Sequence, residues 1–66
     1  MDYNDITVNI QTGEVTVAGP IEFVNNINWA RVQRTAEMFA VHTSPVNAIK
    51  SAICQQYAAW KGALTL

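Results

Sequence analysis

Apolar residues in the second half of the chain recur at steps of three and four, the spacing of one face of an α-helix. The pattern is interrupted once, at residues 43–45 (Thr-Ser-Pro), so it predicts two helices, over about 27–42 and about 45–61. The apolar positions are Trp29, Val32, Ala36, Phe39 and Ala40 in the first helix, and Val46, Ile49, Ile53, Tyr57, Trp60 and Leu64 in the second. We expect the two faces to pack together as a helical hairpin.

The N-terminal part of the chain follows a different pattern. Apolar and polar residues alternate on both sides of Gly13, which predicts an antiparallel β-hairpin over about 6–18. With Thr12 and Gly13 at the centre of the turn, Val8 faces Val17, Ile10 faces Val15 and Gln11 faces Glu14. This register places all four of the paired apolar side chains on one face, and a slip by one residue would mix the faces.

These elements predict a single α+β domain over residues 1–66. A hairpin alone is marginally stable in water, so its apolar face is expected to pack on the helices. Residues 21–24 continue an apolar pattern after Gly19-Pro20, and they are expected to form either a short third strand or an extended connector.

Residues at the predicted helix ends indicate where each helix begins and stops. Three residues, Asn25, Asn26 and Asn28, are candidate N-caps of the first helix, and Thr43 or Ser44 is the candidate for the second, followed by Pro45 at the first helical position. At the other end, Gly62 suits the left-handed position that terminates a helix. The apolar segment 63–66 is expected to dock on the core or on a neighbouring molecule.

Composition narrows the possible functions. Charged residues make up 14% of the 66 residues, against about 25% in ordinary domains, and small domains usually need disulfides, a metal or a partner. A single cysteine excludes an intrachain disulfide. Low charge is typical of interface cores, so we expect a partner to cover part of the surface; the alternative is a small domain with little room for charge.

Charge and hydropathy also argue against two classes of partner. The net charge is −1, the pI is about 5.5, and the four basic residues are dispersed, whereas binding to nucleic-acid phosphates requires clustered Lys and Arg. No apolar run approaches the roughly 20 residues that cross a bilayer. The acidic N-terminus lacks the features of a signal peptide, and a free cysteine suits a reducing compartment. We therefore expect a cytoplasmic protein, in a host cytosol or an assembled particle if it is viral.

Candidate catalytic residues are few. Cys54 and His42 are the available nucleophile and base, but they are separated by more than two helical turns, so we do not expect the contact that nucleophilic catalysis requires. One cysteine and one histidine do not make a zinc site, and the five carboxylates lack the spacing of a calcium loop. A chain of this size is also expected to offer too little wall for a substrate pocket. The sequence predicts no enzyme, no cofactor and no metal.

Two helices joined at residues 43–45 also invite a helix-turn-helix interpretation. In that arrangement Asn47, at the start of the second helix, would read a base, while Lys50, Arg31 and Arg34 would contact phosphates. The negative net charge opposes this interpretation, and a helical hairpin that closes a small core is the simpler alternative.

Four groups of residues are candidate protein-interface positions. Near the C-terminus, Trp60 is the first choice for an exposed aromatic anchor, beside apolar Leu64 and Leu66. The other groups are the small, uncharged back of the second helix, the arginines of the first helix, and the second strand, which has an uncharged middle and lacks the usual edge protection. The back of the second helix contributes Asn47, Ser51 and Gln55, the first helix contributes Arg31 and Arg34, and the second strand contributes Val15 and Val17.

The sequence thus favours a non-enzymatic protein-interaction module that acts within an oligomer or larger assembly, for example a viral or phage structural accessory. The alternative is a small regulatory inhibitor, of the kind that phages direct against host proteins, which binds and blocks one larger protein. A DNA-binding regulator is a third interpretation.

Overall fold

The computed structural model describes residues 1–64. A short 3₁₀ helix, Tyr3–Asp5, leads into an antiparallel hairpin of strands β1 (Ile6–Val8) and β2 (Val15–Val17). Three helices follow: α1 (Ile21–Val24), α2 (Trp29–Phe39) and α3 (Pro45–Leu64). The predicted α+β fold is confirmed, with α2 and α3 packed as a helical pair.

The hairpin is present, but its predicted register is wrong by two residues. Val8 lies opposite Val15, and Ile6 lies opposite Val17. Asn9 widens the turn because its side-chain oxygen accepts hydrogen bonds from the backbone N–H of Gln11 (3.0 Å) and Thr12 (3.3 Å). A shift of two residues keeps the same side chains on the inner face, but it leaves Ile10 outside the ladder with 76% of its surface exposed.

Residues 21–24 form the helical turn α1, so both predictions for this segment, a third strand and an extended connector, are wrong. Pro20 precedes the turn, and its carbonyl accepts hydrogen bonds from the backbone N–H of Phe23 and of Val24, both at 3.0 Å. Helical backbone places Phe23 in the core, where 1% of its surface is exposed, and leaves Ile21 in solvent.

The helix starts were predicted well and the helix ends less well. Asn28 caps α2, with its side-chain oxygen 3.1 Å from the backbone nitrogen of Arg31, and Ser44 caps α3 in the same way through Asn47 at 3.2 Å. At its C-terminus α2 ends at Phe39, three residues before the predicted end. Helix α3 continues through Gly62 to Leu64, so the predicted left-handed termination at Gly62 is wrong.

The core lies where α1, α2, α3 and β1 meet. Its buried members include Ile6, Phe23, Val32 and Ile53. The apolar patterns of the hairpin and the helices predict burial of Ile6, Val32 and Ile53. Alanine contributes more than expected, because Ala48 and Ala52 of α3 are fully or almost fully buried. Small side chains at these positions allow α2 and α3 to approach closely.

Candidate functional site

An apolar groove of about 630 Å³ lies on the surface of the described chain. It runs along one face of α2, between that helix, the beginning of α3 and the hairpin, and we call it the α2 groove. Its lining residues are Gly13, Val15, Trp29, Ala30, Val32, Gln33, Ala36, Glu37, Ala40, Pro45, Ala48 and Ile49. The expectation that so short a chain has too little wall for a pocket of ordinary size is therefore wrong, since binding pockets occupy roughly 300–1,000 Å³.

The groove exists because the hairpin and α2 both pack mainly on α3. The 3₁₀ helix and β1 contact α3, and the contact between α2 and α3 is the most extensive of those between elements. The space between hairpin and α2 is bordered by Val15 on one side and by Ala36 and Ala40 on the other. Alanine side chains are too short to fill it, so the apolar surface on both sides remains open.

The chemistry of the groove suits apolar side chains. Apolar residues form most of its lining, and its main polar side chains are Gln33 and Glu37, both exposed on α2. Among the lining residues of the described chain, Glu37 carries the one charge. Trp29 stands at one end with 44% of its surface exposed, which is a large area for an indole in so small a domain.

Sequence reasoning missed this groove, although its elements are visible in the sequence. The apolar spacing predicts that Trp29, Ala36 and Ala40 share a core face, whereas Trp29 and Ala40 are exposed in the structure. The signal for a groove was the combination of one large residue with two alanines on the same helical face. Side chains of such different size cannot fill the space beside the helix uniformly.

Trp60, the predicted exposed anchor, lies instead in an aromatic cluster. Its ring centroid is 5.6 Å from that of Phe23 and 5.9 Å from that of Tyr57, and Phe23 and Tyr57 make an edge-to-face contact at 5.0 Å. Trp60 is half-buried there because α1 brings Phe23 against α3. Its neighbour Lys61 lies over the Tyr57 ring at 5.6 Å.

The remaining interface candidates are dispersed over the surface. Leu64 is 66% exposed at the end of α3 and does not dock on the core, while Leu66 lies outside the described residues. Val15 borders the α2 groove, and Val17 packs half-buried against the core. Arg34 is exposed on α2.

The predicted back face of α3 is partly covered by the chain itself. The Ser51 hydroxyl makes a hydrogen bond with the hydroxyl of Tyr3 from the 3₁₀ helix. Asn47 remains exposed, and Gln55 borders a small depression of about 70 Å³ together with Arg31. This depression lies on the side of the α2–α3 pair away from the groove.

Cys54 is held in a setting that suppresses its reactivity. Its thiol lies 3.8 Å from the backbone carbonyl of Met1, to which it donates a weak hydrogen bond. Burial raises the pKa of the Cys54 thiol, as do Asp2 and Asp5, against a lowering by the N-terminal ammonium group. A raised pKa keeps the nucleophilic thiolate scarce at neutral pH. His42 is exposed in the turn after α2.

Residues 1–64 contain no group of three or more His, Cys, Asp or Glu side chains placed to hold a metal ion. In the same part of the chain, no helix combines the length and hydropathy of a membrane span.

Comparisons with protein-family models, with curated proteins and with solved structures find no match for this chain.

Proposed function

We propose that this chain is a non-enzymatic protein-interaction module that works within an oligomer or larger assembly, and that the α2 groove is its docking surface. The observation that carries the proposal is the groove itself, an apolar space of about 630 Å³ beside an exposed Trp29 on a chain of 66 residues. Exposed apolar concavities of this kind are typical of surfaces that bind a partner.

The proposed occupant is a set of apolar side chains on a helix of a neighbouring protein. A helix as long as α2, of 11 residues, is about 16 Å long and 10–12 Å across. A cylinder of those dimensions has a volume of roughly 1,250 Å³ or more, which is more than the groove of about 630 Å³ can hold. The groove therefore accepts the side chains of such a helix and not its backbone. This is the arrangement in which a helix lays an apolar face along a groove.

A protein neighbour fits better than a small molecule because the groove has few polar anchors. Small-molecule sites normally fix the orientation of the ligand with several convergent polar groups, and here Gln33 and Glu37 stand at the exposed side. A protein obtains specificity from an extended contact and from charges around it. The proposed setting is a reducing cytosol, in which Cys54 stays a free thiol.

The test is the mass of the chain in solution over about a hundredfold range of concentration, by sedimentation equilibrium, with circular dichroism at each concentration. We expect the average mass to rise with concentration. Ala30→Arg places a charged side chain in the groove and should reduce association at unchanged helix content. Met38→Arg is the matched control, because Met38 is exposed on α2 outside the groove.

A folded chain that remains monomeric at every concentration contradicts the assembly proposal and favours the inhibitor hypothesis. Association that Met38→Arg weakens as much as Ala30→Arg does would contradict the role of the groove.

A further inference from the structure

The two ends of the α2 groove differ in side-chain size. Trp29 stands at one end, exposed, and Ala40 lies at the other end, beside Pro45 and Ala48. The two positions are 11 residues apart, which is about 16 Å along a helix. One face of α2 thus carries a large side chain that is 44% exposed and, at the opposite end, a space bordered by small ones.

Such a face is complementary to itself when it is reversed. Resting on the proposed function, we propose that the occupant of the α2 groove is a second copy of this chain, with the two α2 helices antiparallel about a twofold axis. Trp29 of each copy enters the Ala40 end of the other. A twofold interface uses the same patch on both copies, so a projection and a space on one face satisfy each other twice.

Charged residues beside the groove are compatible with the same orientation. Arg34 is three residues before Glu37 and four after Ala30, so it lies next to both on the helix surface, at the edge of the groove. When Trp29 is opposite Ala40 of the second copy, the midpoint of the pairing lies between residues 34 and 35. Arg34 of each copy then comes within about one helical turn of Glu37 of the other. The same midpoint places Arg34 of the two copies about one residue step apart along the axis, so the two Glu37 carboxylates have to offset the repulsion between the arginines.

The size of the contact sets the expected strength. A standard interface buries about 800 Å² on each partner, which is a sixth of the 4730 Å² surface of this chain. One helix of 11 residues with its flanking loops covers less than that. We therefore expect a dimer that dissociates in roughly the micromolar to millimolar range, strengthened where several copies are held together in an assembly.

The first experiment exchanges the projection and the space. Trp29→Ala and Ala40→Trp are each expected to weaken self-association, measured by sedimentation equilibrium, by at least about tenfold. Trp29→Ala leaves the groove of the other copy unfilled, and Ala40→Trp closes the space that Trp29 of the other copy would enter. In a 1:1 mixture of the two variants, each Trp faces an alanine, so association should return to within about threefold of the wild type. Circular dichroism of each variant establishes that the fold is retained.

The second experiment reverses the charges. Arg34→Glu and Glu37→Arg are each expected to weaken self-association about three- to tenfold at low salt, and a 1:1 mixture of them should associate more tightly than either alone. Arg31→Glu is the matched control, because Arg31 borders the small depression away from the groove. It should leave self-association unchanged.

The two proposals fail in different ways. If the wild type associates and Ala30→Arg prevents it, but neither mixture recovers association, the antiparallel dimer is refuted and the docking role of the groove stands. If the wild type is monomeric throughout, the proposed function fails as well.

Discussion

The two ends of the α2–α3 pair are built from the same two helices but are filled differently. At the N-terminal end of α2, helix α1 places Phe23 against α3, where Tyr57 and Trp60 pack around it. At the C-terminal end of α2 the groove, which begins at Trp29, is bordered by Ala36, Ala40 and other short side chains and stays open.

The difference shows what an additional short element contributes to a small domain. A single turn of helix brings one phenylalanine to the core and closes one end without help from another molecule. The hairpin at the other end brings Val15, which is too small to reach the alanines of α2. In the proposed dimer, the Ala40 end is the part that Trp29 of a neighbouring copy fills.

The largest expected effect is on the closed end. Phe23→Ala removes the buried side chain around which Tyr57 and Trp60 pack, and it should lower the free energy of unfolding by about 3–5 kcal/mol, measured by urea denaturation. For a chain of this length that is a large part of the total stability. Phe23→Leu, with an expected loss of about 1–2 kcal/mol, keeps the measurement possible if the alanine variant does not fold.

Ile21 provides the control for this prediction, because it belongs to the same helical turn and is 62% exposed. Ile21→Ala should change stability by less than about 0.5 kcal/mol. A similar small loss for Phe23→Ala would mean that the aromatic cluster does not hold the closed end together.

A second prediction compares alanines at packed and open positions. Ala52 is buried where α2 and α3 pack against each other, so Ala52→Leu should destabilise the chain by about 1–3 kcal/mol through overpacking. Ala40 lies at the open end, and Ala40→Leu should change the unfolding free energy by less than about 0.5 kcal/mol. Equal effects of the two substitutions on urea denaturation would contradict the distinction between a closed and an open end.

The same distinction separates what the sequence could predict from what it could not. The helix starts followed from local chemistry, since Asn28 and Ser44 carry side-chain oxygens that accept a backbone N–H of their own helix. Which face of the hairpin turns inward followed from alternation alone. These features depend on residues that are neighbours in the chain.

Features set by longer-range contacts or by alternative turn geometry were predicted poorly. Ile21 and Phe23 alternate as a strand would, yet packing of Phe23 against Tyr57 favours a helical turn. Asn9 selected a wider hairpin turn than Gly13 alone indicated. The groove was not predicted because it is a space between elements, and its existence depends on where the hairpin packs on α3.

The smallest expected effect concerns the hydrogen bonds at the N-terminal caps of α2 and α3. The Gln56 side chain accepts a hydrogen bond from the backbone N–H of Asn28 (2.9 Å) and donates one to its carbonyl (3.1 Å). At the open end, the Ser44 side chain accepts one bond, from the N–H of Asn47. Removing two bonds that join α3 to the α2 cap should cost more than removing one local bond.

We therefore expect Gln56→Ala to lower the free energy of unfolding by about 1–2 kcal/mol and Ser44→Ala by about 0.5–1 kcal/mol, both measured by urea denaturation. Gln55→Ala is the control, because Gln55 is the exposed neighbour of Gln56 on the same helix. If Ser44→Ala costs more than Gln56→Ala, the cap at the open end matters more to the isolated chain than the link between helices.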